Sequence, residues 1–190
     1  MMLAVHAFAG DHPSELSPDN RYRVIIKDDP DQELSYAAIC DRKTGKMLST
    51  DALTYYQGGG VDVQWRKDSH VVALGFEPGK TRYETLLYWI DNGKIFKVQL
   101  PDFMLNILGR QGGITAKFKN GSVTFDKFLD GNRCLLSAHV EVETHGNETA
   151  RRPDDEFRPT NFTNWDVEIQ VNGPSDNALL DVRPSEDQNQ

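Results

Sequence analysis

The chain predicts an all-β protein built as an antiparallel meander, with a single short helix near 101–109. Three observations lead there. Apolar runs of strand length recur along the chain, separated by clusters of Gly, Pro, Asn and Asp. Val61, Val63 and Trp65 alternate with Asp62 and Gln64, the period-two pattern of a half-buried strand. Only one stretch, around Phe103, Leu105, Ile107 and Leu108, reads as a helix.

Taken in order, Tyr22 to Lys27 is the first β-rich run, entered through the turn Ser17-Pro18-Asp19-Asn20. Leu34 to Cys40 is the second, ended by Asp41-Arg42-Lys43-Thr44-Gly45, and Lys46 to Ser49 can pair back on it. Gly58-Gly59-Gly60 breaks the chain before Val61 to Trp65. Val71 to Phe76 is almost continuously apolar, as a strand buried on both faces would be. Glu84 to Ile90 and Ile95 to Leu100 follow, joined by Asp91-Asn92-Gly93-Lys94, where Asn-Gly suits a type I′ turn. Pro101 is placed for a first helical turn. Ile114 to Lys119 and Ser122 to Leu129 read as a hairpin through Asn120-Gly121, followed by Cys134 to Glu143. Trp165 to Val171 and Ala178 to Val182 form a last hairpin.

The 190 residues carry a net charge of −8, with 38% apolar and 26% charged positions. Such a surface repels phosphate backbones, and the basic residues form no stripe, so nucleic acid is excluded as an expected partner. No apolar run approaches the roughly 20 residues of a spanning helix. Met1 to Ala9 ends in Ala7-Phe8-Ala9, the small-residue pattern a signal peptidase reads. The expected organisation is a secretory-signal remnant over 1–9, one β domain over 10–183 and a disordered polar tail over 184–190. A periplasmic or secreted location follows, with the cytoplasm as the alternative. Cys40 and Cys134 each sit in an apolar run, suited to buried thiols or to a disulfide worth about 4 kcal/mol.

The chain also repeats itself. Asp19-Asn20-Arg21 before Val24-Ile25-Ile26 is echoed by Asp68-Ser69-His70 before Val71-Val72-Ala73-Leu74, 49 positions later. A looser third copy is Asp130-Gly131-Asn132-Arg133 before Cys134-Leu135-Leu136. Ser17-Pro18-Asp19-Asn20-Arg21-Tyr22 and the run from Trp65 to Leu74 resemble the blade-opening motif of TolB-type and WD40-like β-propellers, over about residues 17–100. The resemblance implies blade-like sheets. A ring needs at least about four blades of roughly 40–50 residues, more than the chain readily supplies. An open sheet, a β-sandwich or a partial propeller is therefore expected.

Three groups of residues are candidates for function. Tyr55 and Tyr56, before the glycine run and near Trp65, suit contact with a protein or a carbohydrate, where a flat ring stacks and its polar end bonds. Alternation, however, also places Trp65 in the core with Val61 and Val63. His139, Glu141, Glu143 and His145 would share one face of a strand and are ligand types for zinc or another divalent ion. They would lie about 7 Å apart along the strand, so a metal would need ligands from a neighbour; a solvated face is the commoner outcome. No Gly-x-Ser-x-Gly elbow, phosphate loop or Cys–His motif is present, and nothing calls for a cofactor. The sequence thus points to an extracytoplasmic binding or interaction module that is not an enzyme. The alternatives are a hydrolase or carbohydrate-active protein with dispersed carboxylates, and a divalent-metal sensor.

Overall fold

A computed structural model describes residues 16–29, 34–53, 61–79, 82–111, 116–144 and 160–186. Over these the strands are β1 (Tyr22–Asp29), β2 (Leu34–Asp41), β3 (Met47–Leu53), β4 (Val61–Trp65), β5 (Val71–Gly79), β6 (Arg82–Asp91) and β7 (Lys94–Lys97). After the helix α1 (Met104–Gln111) come β8 (Ala116–Phe128), β9 (Arg133–Thr144), β10 (Thr160–Val171) and β11 (Asn177–Pro184). They form three open antiparallel sheets, β1-β2-β3, β4-β5-β6-β7 and β8-β9-β10-β11. Every hydrogen-bonded neighbour is also a sequence neighbour, which is the expected meander. Among the described residues no helix is long and apolar enough to cross a membrane.

The second sheet is the middle layer, and the apolar run of β5 explains why. Val72, Leu74 and Phe76 pack with Tyr88 and Ile90 of β6 against Val24 of β1 and Ile39 of β2, forming the core toward the first sheet. Val71 and Ala73 face the other way with Leu87, meeting Leu136, Val167 and Ile169 of the third sheet. A strand reads as continuously apolar when both of its faces are buried, and β5 is such a strand. Ile107 of α1 is fully buried in the core between the second and third sheets, and Phe103, just before the helix, is buried with it. Polar ties cross this boundary too: Thr85 Oγ1 donates to the Val123 carbonyl at 2.9 Å, and the Gln99 amide donates to Pro174 O at 2.8 Å.

The first two repeated turns share their backbone hydrogen bonds and their Asp–amide bond. In each, the Asn20 or Ser69 amide donates to the carbonyl three residues back, at 2.8 and 2.9 Å. The Asp19 and Asp68 carboxylates accept the Arg21 and His70 amides, both at 3.0 Å. Asn20 and Ser69 then take positive φ, 58° and 64°. The bridge Leu16↔Arg23 repeats the pair Trp65↔Val72 at the same offset of 49. At the third copy Gly131 and Asn132 are both left-handed, φ 71° and 61°, so that turn is a variant of the first two. Asn92 and Gly93, φ 48° and 74°, make the expected type I′ turn.

Three local expectations are corrected. Asn120-Gly121 does not turn the chain: β8 runs through it, and Lys119 is the extra residue of a bulge between Phe118 and Asn120. A glycine inside a strand often marks a bulge, and the long partner β9 holds the chain extended. Pro101 lies before the helix, whose start is held by Asp102 Oδ1 accepting the Met104 amide at 3.1 Å. The polar tail does not begin at 184, because Pro184 closes β11 and the Ser185 amide donates to Asn164 O at 3.0 Å.

Candidate functional site

Alternation divides the third sheet into two unlike faces. Phe125, Leu136, Ala138, Trp165, Val167 and Val182 point into the core. The residues between them point out and are mostly polar, with Leu135, Phe162 and Leu180 as apolar members. Strand register aligns these polar side chains into rows across the sheet. One row is Thr124, Ser137, Asp166 and Arg183, one residue from each strand. The next is Ser122, His139 and Asn164. A bulge between Phe125 and Lys127 adds a residue to β8, so both Asp126 and Lys127 lie exposed while Phe128 returns to the core. Together with Tyr83 from β6, these rows line an open depression of about 790 Å³.

The charges inside the depression are largely matched. Ser185 Oγ donates to Asp166 Oδ1 at 2.6 Å, and the Arg183 guanidinium lies 3.7 Å from the other oxygen of the same carboxylate. Arg183 also reaches Asp181 at 3.0 Å. Lys127 lies 3.9 Å from Asp126. His139 Nδ1 meets Asn164 Oδ1 at 2.6 Å, and its ring stacks on Phe162 with centroids 5.5 Å apart and planes 16° apart. Phe162 is 59% exposed and Tyr83 46% exposed, large aromatic surfaces left to solvent at the sheet and at the rim. A hydrogen bond to the Glu77 carboxylate, with that carboxylate's charge, holds the Tyr83 phenol above the ordinary tyrosine range.

The sequence-derived candidates fare differently. Trp65 is partly buried and packs, with Val61 and Val63 on the same side of β4, against the core between the first and second sheets. Tyr55 and Tyr56 lie outside the described residues. His139 and Glu141 share the outer face of β9; the side chain of Glu143 and all of His145 lie outside the described residues. Among the described residues no three potential metal ligands gather. Cys40 is in the first sheet and Cys134 in the third, both buried, with the second sheet between them, and no disulfide joins them. Burial, reinforced by Glu168 and only partly offset by Arg66, pushes the Cys134 thiol up to about 12, so it stays protonated and is no nucleophile at neutral pH.

Of the outer face, the sequence reading singled out His139 and Glu141 alone. The signal for the rest was present in the alternation of Asn164 and Asp166 with Trp165 and Val167, but it reads equally as a solvated surface. Comparison with known proteins gives no match, whether to protein families, to curated proteins or to solved structures.

Proposed function

We propose that the chain is a binding module that presents its ligand-contacting surface on the outer face of the third sheet. One observation carries the reading: polar side chains in register across four strands line a depression of about 790 Å³, with the exposed ring of Tyr83 at its wall. The Asp166–Ser185 and His139–Asn164 pairs give the face a fixed set of hydrogen-bonding groups beside exposed aromatic rings, which supports this reading. On this reading the module acts outside the cytoplasm, which the Ala7-Phe8-Ala9 opening supports. The matching turns at Asn20 and Ser69 support descent from blade-like repeats.

The test is a photo-cross-linking side chain placed at Thr124, inside the depression, and separately at Leu105 on α1, irradiated in the native envelope or secreted fraction. An adduct from position 124 that disappears when Asp166 and Arg183 both become Ala is the expected result. Equal labelling from position 105, or an adduct indifferent to the double substitution, would remove the face from consideration.

A further inference from the structure

We infer that the depression takes a neutral oligosaccharide; the inference rests on the binding role proposed for this face. The first ground is charge. Both cations that line the depression, Lys127 and Arg183, already sit beside its carboxylates, at 3.9 and 3.7 Å. An anionic ligand would have to displace those carboxylates or lie beside Asp126, Asp166 and Glu186. A cationic ligand would lie beside Lys127 and Arg183, although the lining holds three carboxylates to these two cations. A ligand without formal charge meets neither penalty and leaves the ion pairs in place.

The second ground is hydrogen-bonding capacity. Ser122, Thr124 and Ser137 supply hydroxyls that both donate and accept, Asn164 an amide, Asp166 an acceptor and Arg183 a donor. Sugar hydroxyls likewise donate and accept, so they can satisfy this mixed lining where an apolar ligand would leave it desolvated and unpaired. Neighbouring strands stand about 4.8 Å apart, a step comparable to one pyranose unit, so the cross-strand rows suit a chain of sugars laid across the strands.

The third ground is the aromatic surface. Tyr83 lines the depression from the middle sheet, and Phe162 stands beside it with His139 stacked on one face. Flat rings of this kind cover the C–H face of a pyranose while its hydroxyls reach polar neighbours. The site is also open, as a polymer segment requires, and its volume lies within the ~300–1,000 Å³ of small-ligand sites.

Titration calorimetry on the full chain tests this with cellotetraose, maltotetraose, chitotetraose and xylotetraose as neutral probes and a galacturonate oligomer as the anionic contrast. At least one neutral probe should bind, and more tightly than the anionic one. Its affinity should fall roughly ten-fold, equivalent to about 1.4 kcal/mol, in Tyr83→Ala and in the near-isosteric Thr124→Val, with Leu105→Ala unchanged. Circular dichroism matching the native protein would show that the variants are folded. Failure of every neutral probe at millimolar concentration, or binding indifferent to Tyr83 and Thr124, overturns the inference. If oligosaccharides fail while position 124 still yields a protein adduct, the ligand class is wrong and the binding face stands. If both fail, both readings fall.

Discussion

Arg66 shows how a nearly buried cation is held by an aromatic ring and a carboxylate. Its side chain is 10% exposed, its guanidinium lies 5.2 Å from the centre of the Trp89 ring, and two of its nitrogens meet the Asp68 carboxylate at 2.9 and 2.8 Å. Burial raises the Asp68 pKa, but the Arg66 hydrogen bonds, the His70 amide and the nearby positive charge outweigh it, so the carboxyl is held below its ordinary value. Asp68→Asn leaves the buried cation without its counter-charge. Losing one partner of a fully buried pair costs about 3–5 kcal/mol. Asp68 is 44% exposed, which lowers the expectation to about 2 kcal/mol. Because the folded-state pKa is depressed, the carboxylate's contribution is present above about pH 4 and drains as pH falls through the folded value. Urea denaturation at pH 7 should show the deficit of Asp68→Asn, and at about pH 3 the gap to the native protein should narrow. A gap that persists unchanged in acid would mean that charge is not its source. None of this was legible in the sequence, where Trp65-Arg66-Lys67-Asp68 reads only as a turn entering a strand.

At the scale of elements, the turns were the most legible feature, because their chemistry is local. Asp19-Asn20, Asp68-Ser69 and Gly131-Asn132 each place a left-handed residue just before the strand, and short polar side chains tolerate that conformation. At Asn132, φ 61°, replacement by Val should cost about 1–2 kcal/mol, since a β-branched residue is strained there, while Asn132→Gly should be close to neutral. Denaturation midpoints of the two variants decide it; equal destabilisation by both would show that the Asn132 side chain, not its backbone, holds the turn. The face of the third sheet was not legible for a complementary reason. Which residues of β8 stand beside His139 depends on register, and register here is set by two bulges, at Phe118/Asn120 and Phe125/Lys127. A slip of one residue would turn Ser122 and Thr124 into the core and Val123 and Phe125 to solvent. Asn120-Gly121 carries the local signature of a hairpin, and only pairing with the long β9 shows that the chain passes straight through.

At the scale of the molecule, the middle sheet serves two cores at once. Val72 and Leu74 belong to one and Val71 and Ala73 to the other, so alternate residues of a single strand anchor opposite neighbours. The clusters shared with the middle sheet lie on one side of each outer sheet, while Ala38 and Cys40 of the first sheet are buried on its other side. If the layers were independent, damage to the core of the first sheet would stay there. The shared strand argues otherwise: β5 cannot lose its packing against β1 and β2 without weakening the backbone that also carries Val71 and Ala73. Leu74, fully buried, is the residue to test, and Leu74→Ala should cost about 3 kcal/mol. Native-state hydrogen exchange then reads where that energy is lost. The slowest amides of β9 and β10, on the far side of the middle sheet from Leu74, should lose the same roughly 3 kcal/mol of protection as those of β2 and β5 if the stack unfolds as one unit. Undiminished protection in β9 and β10 would instead make the third sheet a separate cooperative unit, able to hold its polar face in shape while the first sheet opens.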